Sequence, residues 1–292
     1  MTLPTSIMVS AVHFLKGSLA LTATLLNIFA PVNAAPQAAS SSSTALRTTA
    51  AYYVSAKTTT FASTTPSATG TDENVIIVKE TGTAYVIDSV IEKTGDTTES
   101  ESSSFTDLNA AVGVETNGTT YIKDSKIITS GLSANGLHTY EDDSVAYLDN
   151  VCVHAEGDGS HGIYTAGGDI YGKNLIIKTY GGKGSAIATD RGGGLIVVEN
   201  CDVYTYGSLS ALVYSTGNIT TTDLRGVSDI APVACVDGSN SFTFNNPSIK
   251  SGSQMHGVFQ IVSTASSSSS LDSTVYAYVT GGWLRKRTER IP

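Results

Sequence analysis

Apolar and polar positions alternate along most of this chain in runs of only a few residues, and glycine closes run after run. Alternation with a period of two marks a half-buried strand, and runs this short leave no room for a helix. The runs also repeat. A small residue followed by an apolar one recurs at Ala111-Val112, Gly136-Leu137, Gly162-Ile163, Ala186-Ile187, Ala211-Leu212, Ala234-Cys235 and Gly257-Val258, at intervals of 25, 26, 24, 25, 23 and 23 residues. A second register accompanies it through Ser125-Lys126-Ile127-Ile128, Asn150-Val151-Cys152-Val153, Asn174-Leu175-Ile176-Ile177, Asn200-Cys201-Asp202-Val203 and Asn246-Pro247-Ser248-Ile249, each followed by glycine at 131, 157, 181, 207 or 252. Tyr85-Val86-Ile87-Asp88-Ser89-Val90-Ile91 is an earlier half-copy. Self-similarity at a fixed period of this length is the mark of stacked coils. The expected fold is therefore all-β, a parallel β-helix (solenoid) of about 24-residue coils. Its parity turns Val151 and Val153, Leu175 and Ile177, and Cys201 and Val203 inward, and the Asn150, Asn174, Asn200 column predicts an amide ladder at a turn.

The flanks differ from the body. Lys16, the apolar run from 17 to 30 and the small residues Val32-Asn33-Ala34 read as a secretory leader over 1–34, cleaved after Ala34, so the expected destination is the medium or a secretory compartment. The apolar run is shorter than the ~20 residues a spanning helix needs, so no stable membrane insertion is expected. Residues 35–71 are rich in Ser, Thr, Ala and Pro and read as a flexible segment, leaving 72–282 for the solenoid. In 283–292 the repeat stops and basic residues gather, which reads as a makeshift cap over open strand edges or as an early chain end.

Charge narrows the partners. The net charge is -9, and without the leader and the last ten residues 12 basic side chains face 25 acidic ones. A nucleic-acid partner needs a basic surface that this body lacks, and a polyanionic glycan would meet repulsion. Secretion favours disulfides, but there are three cysteines, Cys152, Cys201 and Cys235, so at least one has no partner within the chain. Parity places Cys201 and Cys235 inward and Cys152 outward. Asn117-Gly118-Thr119 and Asn218-Ile219-Thr220 are glycosylation sequons.

The repeat, with Gly-Ile-Tyr-Thr-Ala-Gly-Gly at 162–168 and Ala-Thr-Asp-Arg-Gly-Gly-Gly at 188–194, resembles the secreted right-handed parallel β-helix superfamily, the pectin-lyase-like fold. That resemblance implies polysaccharide cleavage as the first chemistry to test. The polygalacturonase phrases Asn-Thr-Asp, Asp-Asp, Gly-His-Gly and Arg-Ile-Lys do not occur in order, and Glu141-Asp142-Asp143 falls at a corner between strands. A calcium cage of the pectate-lyase kind finds only Asp202 and Asp223 near stacked positions. His138, His154, His161 and His256 lack paired ligand spacing, so no metal site is expected.

What remains is an aromatic and polar strip. Two positions beyond each small residue, on the outward parity, come His138, Tyr164, Ala188, Val213, Val236 and Phe259, with Tyr140, Asp190, Arg191 and Tyr214 close by; a second strip holds Lys178, Tyr180, Tyr204 and Tyr206. An apolar strip with a few donors has the make-up of a small-molecule site. A pericyclic cycloaddition needs no nucleophile, metal or redox cofactor, only a surface that holds two apolar reactants and donates to the polarised one. As a whole the chain resembles the fungal secreted hetero-Diels-Alderases of tropolonic sesquiterpenoid biosynthesis. The resemblance implies a cofactor-independent enzyme whose small-molecule polyketide and terpene substrates are a tropolone quinone methide and a humulene-type alkene. On this expectation Arg191, Tyr164 and His138 are the catalytic donors, and Tyr140, Asp190, Val213, Tyr214 and Phe259 hold substrate. Two other readings stay open, a cell-wall or polysaccharide-binding β-helix protein and a cryptic polysaccharide lyase.

Overall fold

Each described coil places one strand in a smaller parallel sheet and one long strand or two short ones in a larger parallel sheet. A computed structural model describes residues 49–237, 240–253, 258–262 and 279–280. The leader and its cleavage point, the first part of the 35–71 segment, His256 and the 283–292 tail lie outside these residues. Among the described residues the smaller sheet has nine strands and the larger has twelve, and strands pair in parallel with their counterparts in neighbouring coils. The chain is a β-solenoid of about eight turns of about 25 residues, as the repeat predicts. Among the described residues no helix is long and apolar enough to cross a membrane.

One coil shows how sequence becomes shape. Asn135–Tyr140 lies in the smaller sheet, the chain turns at the exposed Glu141, Asp142 and Asp143, and Val145–Ala155 lies in the larger sheet. The larger sheet's strands run to eleven residues rather than the three to five that short apolar runs suggest. A single left-handed residue bends each of them in the middle. That position is Asp88, Asp124, Asn150, Asn174, Asn200, Asp223 and Asn246 in successive coils, with φ between 48° and 56°. Asn and Asp tolerate this region better than other side-chain-bearing residues, which is why the column is built from them. The expected ladder forms in part: Asn200 Nδ2 donates to Asn174 Oδ1 at 2.7 Å, but Asn174 Nδ2 donates to Asp149 Oδ1 at 3.1 Å instead of to Asn150, whose own Nδ2 donates to Asp124 Oδ1 at 2.7 Å.

Inside, Val151, Val153, Leu175, Ile177, Cys201 and Val203 sit in one continuous core, all at 1 % exposure or less. The corner glycines follow from close approach. A Cβ on Gly157, Gly181 or Gly207 would lie 1.9, 2.1 or 1.9 Å from the carbonyl oxygen of the corresponding glycine one coil earlier, so none of these three positions takes a larger residue without moving backbone.

Two boundaries differ from expectation. The solenoid is already present at Thr49: Thr49–Ser55, Thr58–Ala62 and Ser67–Ala68 pair in parallel with the strands of the next coil, so part of the Ser/Thr-rich 35–71 segment is a coil of its own. Composition hides it because its exposed positions are mostly Thr, Ser, Tyr and Ala, while Val54 and Ala68 are buried. The coil that begins at Tyr85 takes 36 residues to reach its register partner Tyr121, against 26 from Tyr121 to Tyr147. The excess forms a strap over 96–109, which includes the short helix α1, Ser100–Phe105.

Candidate functional site

The strap lies against the outer face of the smaller sheet, where the sequence places its candidate site. The Asp72 carboxylate accepts hydrogen bonds from Thr97 Oγ1 at 2.7 Å, from the Thr98 amide at 2.8 Å and from Thr98 Oγ1. Ser103 Oγ donates to the Ser133 carbonyl at 2.6 Å, and Asn135 Nδ2 donates to the Ser103 carbonyl at 3.3 Å. Asn74 brackets the far end, donating to the Asp107 carbonyl at 2.7 Å and accepting from the Ala110 amide. These bonds hold the strap from both ends.

Strand pairing sets the column beneath it. Gly113, His138, Tyr164, Ala188, Tyr214 and Cys235 occupy one outward position in successive coils. Glycine at 113 makes room for the strap, because a Cβ there would sit 1.8 Å from Asp107 Oδ2. The Asp107 carboxyl therefore reaches His138, with Oδ1 3.2 Å from Nδ1 and no exposed surface on either side chain. Burial raises Asp107 well above the usual carboxylate range and lowers His138 to about 3 against the opposing Asp190 charge. Burial thus works against the charged form of both members of the pair, since no water reaches either side chain.

Aromatic rings surround this pair. Tyr164 is fully buried, with His161 stacked on it at 4.6 Å and His138 edge-on at 4.6 Å, so the two histidines that sequence spacing left apart meet on one ring. Tyr140 and Tyr214 pack against the same Tyr164, Ala166 and Ala188 cluster. Burial, then the Asp190 charge, pushes the Tyr164 phenol well above its ordinary value, so its hydroxyl stays a donor; Ser104 of the strap and Asp190 are its polar neighbours. Asp190 is itself raised by burial, which outweighs its hydrogen bond from the Arg191 amide at 2.8 Å. The exposed Arg191 guanidinium lies over the Phe105 ring, 3.7 Å from its centroid, and clips the strap to the floor.

The expected residues thus divide. His138, Tyr140, Tyr164, Asp190, Arg191 and Tyr214 come together, whereas Val213 and Phe259 do not. Their register partners are Ile187 and Ala234, Val213 belongs to the interior core, and Phe259 packs against that core. Counting from a small residue slips by one at Ala211, and a one-residue slip moves a side chain to the opposite face. Val236 is a core residue for the same reason, and Cys235, expected inward, lies on the outward column beside Tyr214. All three cysteines are free; burial pushes Cys201 and Cys235 up to about 12, which suits inert thiols.

Asp107, Ser104, Phe105 and His161 were not legible as site residues. The one available signal was the long interval before Ala111, the place where a regular repeat has room for an added element.

The second strip forms as expected on the larger sheet: Lys178 Nζ lies 5.6 Å from the Tyr204 ring centroid, and Tyr180 and Tyr206 stack at 4.8 Å. Asn117 and Asn218 are both exposed at the corner between the sheets, where Asn218 Oδ1 accepts from Ser241 Oγ at 2.7 Å. Two surface grooves, of about 470 and 420 Å³, lie on the larger sheet, and neither is lined by the strap or its floor. Among the described residues no three His, Cys, Asp or Glu side chains are grouped to hold a metal ion. No protein-family model, no curated protein and no solved structure matches the chain.

Proposed function

We propose that the chain is a cofactor-independent hetero-Diels-Alderase whose reaction takes place between the strap and the outer face of the smaller sheet. The observation that carries this reading is the convergence of His138, His161, Tyr140, Tyr164 and Tyr214 beneath the strap. Perturbed, desolvated groups gathered around one ring are more common at working sites than in plain walls.

A concerted cycloaddition moves no proton and forms no covalent enzyme intermediate. The catalyst has to place two apolar reactants face to face and donate to the oxygen on which charge grows. Flat rings and the small Ala166 and Ala188 supply the apolar surface. The Tyr164 hydroxyl, held protonated by burial, and the Arg191 cation supply donors that differ in reach and strength. The Tyr164 ring has no exposed surface while the strap is closed, so substrate entry requires the strap to lift, as lids do in many enzymes. The substrates proposed are a tropolone quinone methide as heterodiene and a humulene-type macrocyclic alkene as dienophile.

The test is incubation of the folded chain with the quinone-methide precursor and humulene, with product enantiomeric ratio and rate compared against the protein-free reaction. One enantiomer in excess, diminished in Tyr164→Phe and Arg191→Gln, supports the reading. A racemate at the background rate sinks it.

A further inference from the structure

On the outer face of the larger sheet, Tyr85, Tyr121, Tyr147 and Tyr171 hold one register position in four successive coils. Their rings stack on one another, with centroids 5.0, 5.0 and 5.5 Å apart and planes 11°, 9° and 16° from parallel. Neighbouring strands lie about 4.8 Å apart, so the sheet itself sets the ring spacing, and its paired backbone holds each ring against the next. The register partner of Tyr171 in the following coil is Val197, which ends the column. Tyr180 and Tyr206 form a shorter stack at 4.8 Å and 15°.

Phenol chemistry says what such a stack can do. A phenol that loses an electron and a proton becomes a phenoxyl radical, whose unpaired electron resides largely on the ring carbons beside the oxygen. Two such radicals couple at those carbons, and in solution their encounter limits the yield. Here the partners already stand face to face, which makes the coupling intramolecular. Tyr85, Tyr121 and Tyr147 are 38 to 40 % exposed, so a dissolved oxidant reaches them. The Tyr171 hydroxyl donates to Asp169 Oδ2 at 3.1 Å, an acceptor for the proton that oxidation releases. Tyr52 provides the contrast: it is 43 % exposed, but its ring meets Phe61 edge-on at 82°, and a phenylalanine has no hydroxyl to oxidise.

All three cysteines are free, so no disulfide joins one described coil to another. A covalent bond between tyrosines of adjacent coils would restrict the unfolded chain as a disulfide does.

We propose that the tyrosine column is a crosslinking site, where hydrogen peroxide acting through a peroxidase joins tyrosines of adjacent coils as dityrosine. In each link one carbon–carbon bond forms between ring carbons beside the two hydroxyls, and the C–H bond at each of those carbons breaks. The pair gives up two electrons and two protons and keeps both hydroxyls, while one hydrogen peroxide takes up the same electrons and protons and becomes two waters. The column lies on the other sheet from Tyr164, so the crosslink and the chemistry under the strap stand or fall separately.

Oxidation of the dilute full chain with hydrogen peroxide and a peroxidase, followed by denaturing electrophoresis and peptide mapping, tests it. The expected result is dityrosine fluorescence in the monomer band, with peptide pairs lighter by two hydrogens joining Tyr85 to Tyr121, Tyr121 to Tyr147, Tyr147 to Tyr171 or Tyr180 to Tyr206. The oxidised chain should melt at a higher temperature than the untreated one. Tyr147→Phe keeps the stacked ring without the oxidisable hydroxyl, and should lower both links through position 147 by about tenfold or more while sparing Tyr85–Tyr121. Tyr121→Phe should spare Tyr147–Tyr171 instead. Thermal melts show which variant is folded, and either one decides. A monomer band without dityrosine, links through Tyr52 in equal yield, or an undiminished yield in a folded Phe variant overturns the proposal.

Discussion

Asp107 Oδ1 stands 3.2 Å from His138 Nδ1 with both side chains wholly enclosed, and this contact joins the strap to the sheet beneath it. The pair also sets how the fold responds to acid. Burial lowers His138 from 6.5 to about 3 and His161 to about 4. Between pH 6.5 and those values the unfolded chain binds protons that the folded chain refuses, so stability complete above pH 6.5 is lost as pH falls. Each histidine contributes up to about 1.4 kcal/mol per pH unit over its window. Asp107 acts in the opposite direction, since its raised value favours the folded state while the acid stays protonated. From pH 7 to 4 the melting temperature of the native chain should lose more than that of His138→Gln, a difference from which the opposing Asp107 and Asp190 contributions, common to both chains, cancel. Parallel curves would show that His138 is not the sensor.

Lys93 gives a second and opposite pH signature. Its side chain is fully buried, with Nζ donating to the Gly95 carbonyl at 2.6 Å and the Gly70 carbonyl at 2.9 Å at the root of the strap. Burial lowers it from 10.5 to about 8, outweighing the attraction of Glu73, Asp96 and Asp72. Between pH 8 and 10.5 the unfolded chain holds the extra proton, so stability rises with pH across that window, by at most about 3 kcal/mol. Lys93→Met keeps the length without the charge. It should raise the melting temperature near neutrality and remove the alkaline rise, measured as the difference between variant and native melts so that tyrosine titration cancels.

The repeat was legible because burial imposes it: Val151, Leu175 and Cys201 each meet the same interior, so their alternation appears in the sequence. The bend column was legible where it uses Asn150, Asn174 and Asn200 and obscure at Asp88, Asp124 and Asp223, which look like ordinary surface acids. Outward register was harder to read, since it depends on how many residues each corner consumes. Inward residues 187, 213, 234 and 259 are spaced by 26, 21 and 25 residues, so counting from a small residue misplaced Val213 and Phe259. The strap was beyond reach for a related reason. Nothing in Ser100–Phe105 is periodic, and it is held by hydrogen bonds to residues 20 to 40 positions away, such as Asp72 and Ser133.

The corner glycines allow a paired test of the stacking geometry. A Cβ at Gly181 meets the Gly157 carbonyl oxygen at 2.1 Å and its carbon at 2.4 Å, both backbone atoms of the coil below, so the coils must separate. At neighbouring Gly182 the nearest atom is Ser208 Oγ at 3.2 Å, the tip of a side chain that can rotate away. Gly181→Ala should cost about 3 kcal/mol and lower the melting temperature clearly, whereas Gly182→Ala should stay within about 0.5 kcal/mol of the native chain. Equal losses at the two positions would mean that the carbonyl contact does not set the coil spacing.

The Phe105 ring beneath the Arg191 guanidinium is the contact through which the strap is expected to open and close. The strap's other ties are backbone and carboxylate hydrogen bonds at its two ends, through Asp72 and Asn74, and its middle depends on Ser103, Phe105 and Asp107. A partly exposed cation-π contact contributes about 0.5 to 1 kcal/mol, so Phe105→Ala should shift the closed-to-open ratio by about two- to fivefold while leaving the solenoid intact. Limited proteolysis should then cut within 96–109 faster in the variant by that factor, at an unchanged global melting temperature. Arg191→Ala should match it, and the double variant should add nothing further, because both single changes remove the same contact. If substrates enter under the strap, both variants also raise the apparent on-rate and lower enantiomeric excess together, since a looser cover admits substrate more readily and orients it less well. Faster proteolysis without any change in selectivity would leave the strap as a stabilising cover over Tyr164 with no part in substrate entry.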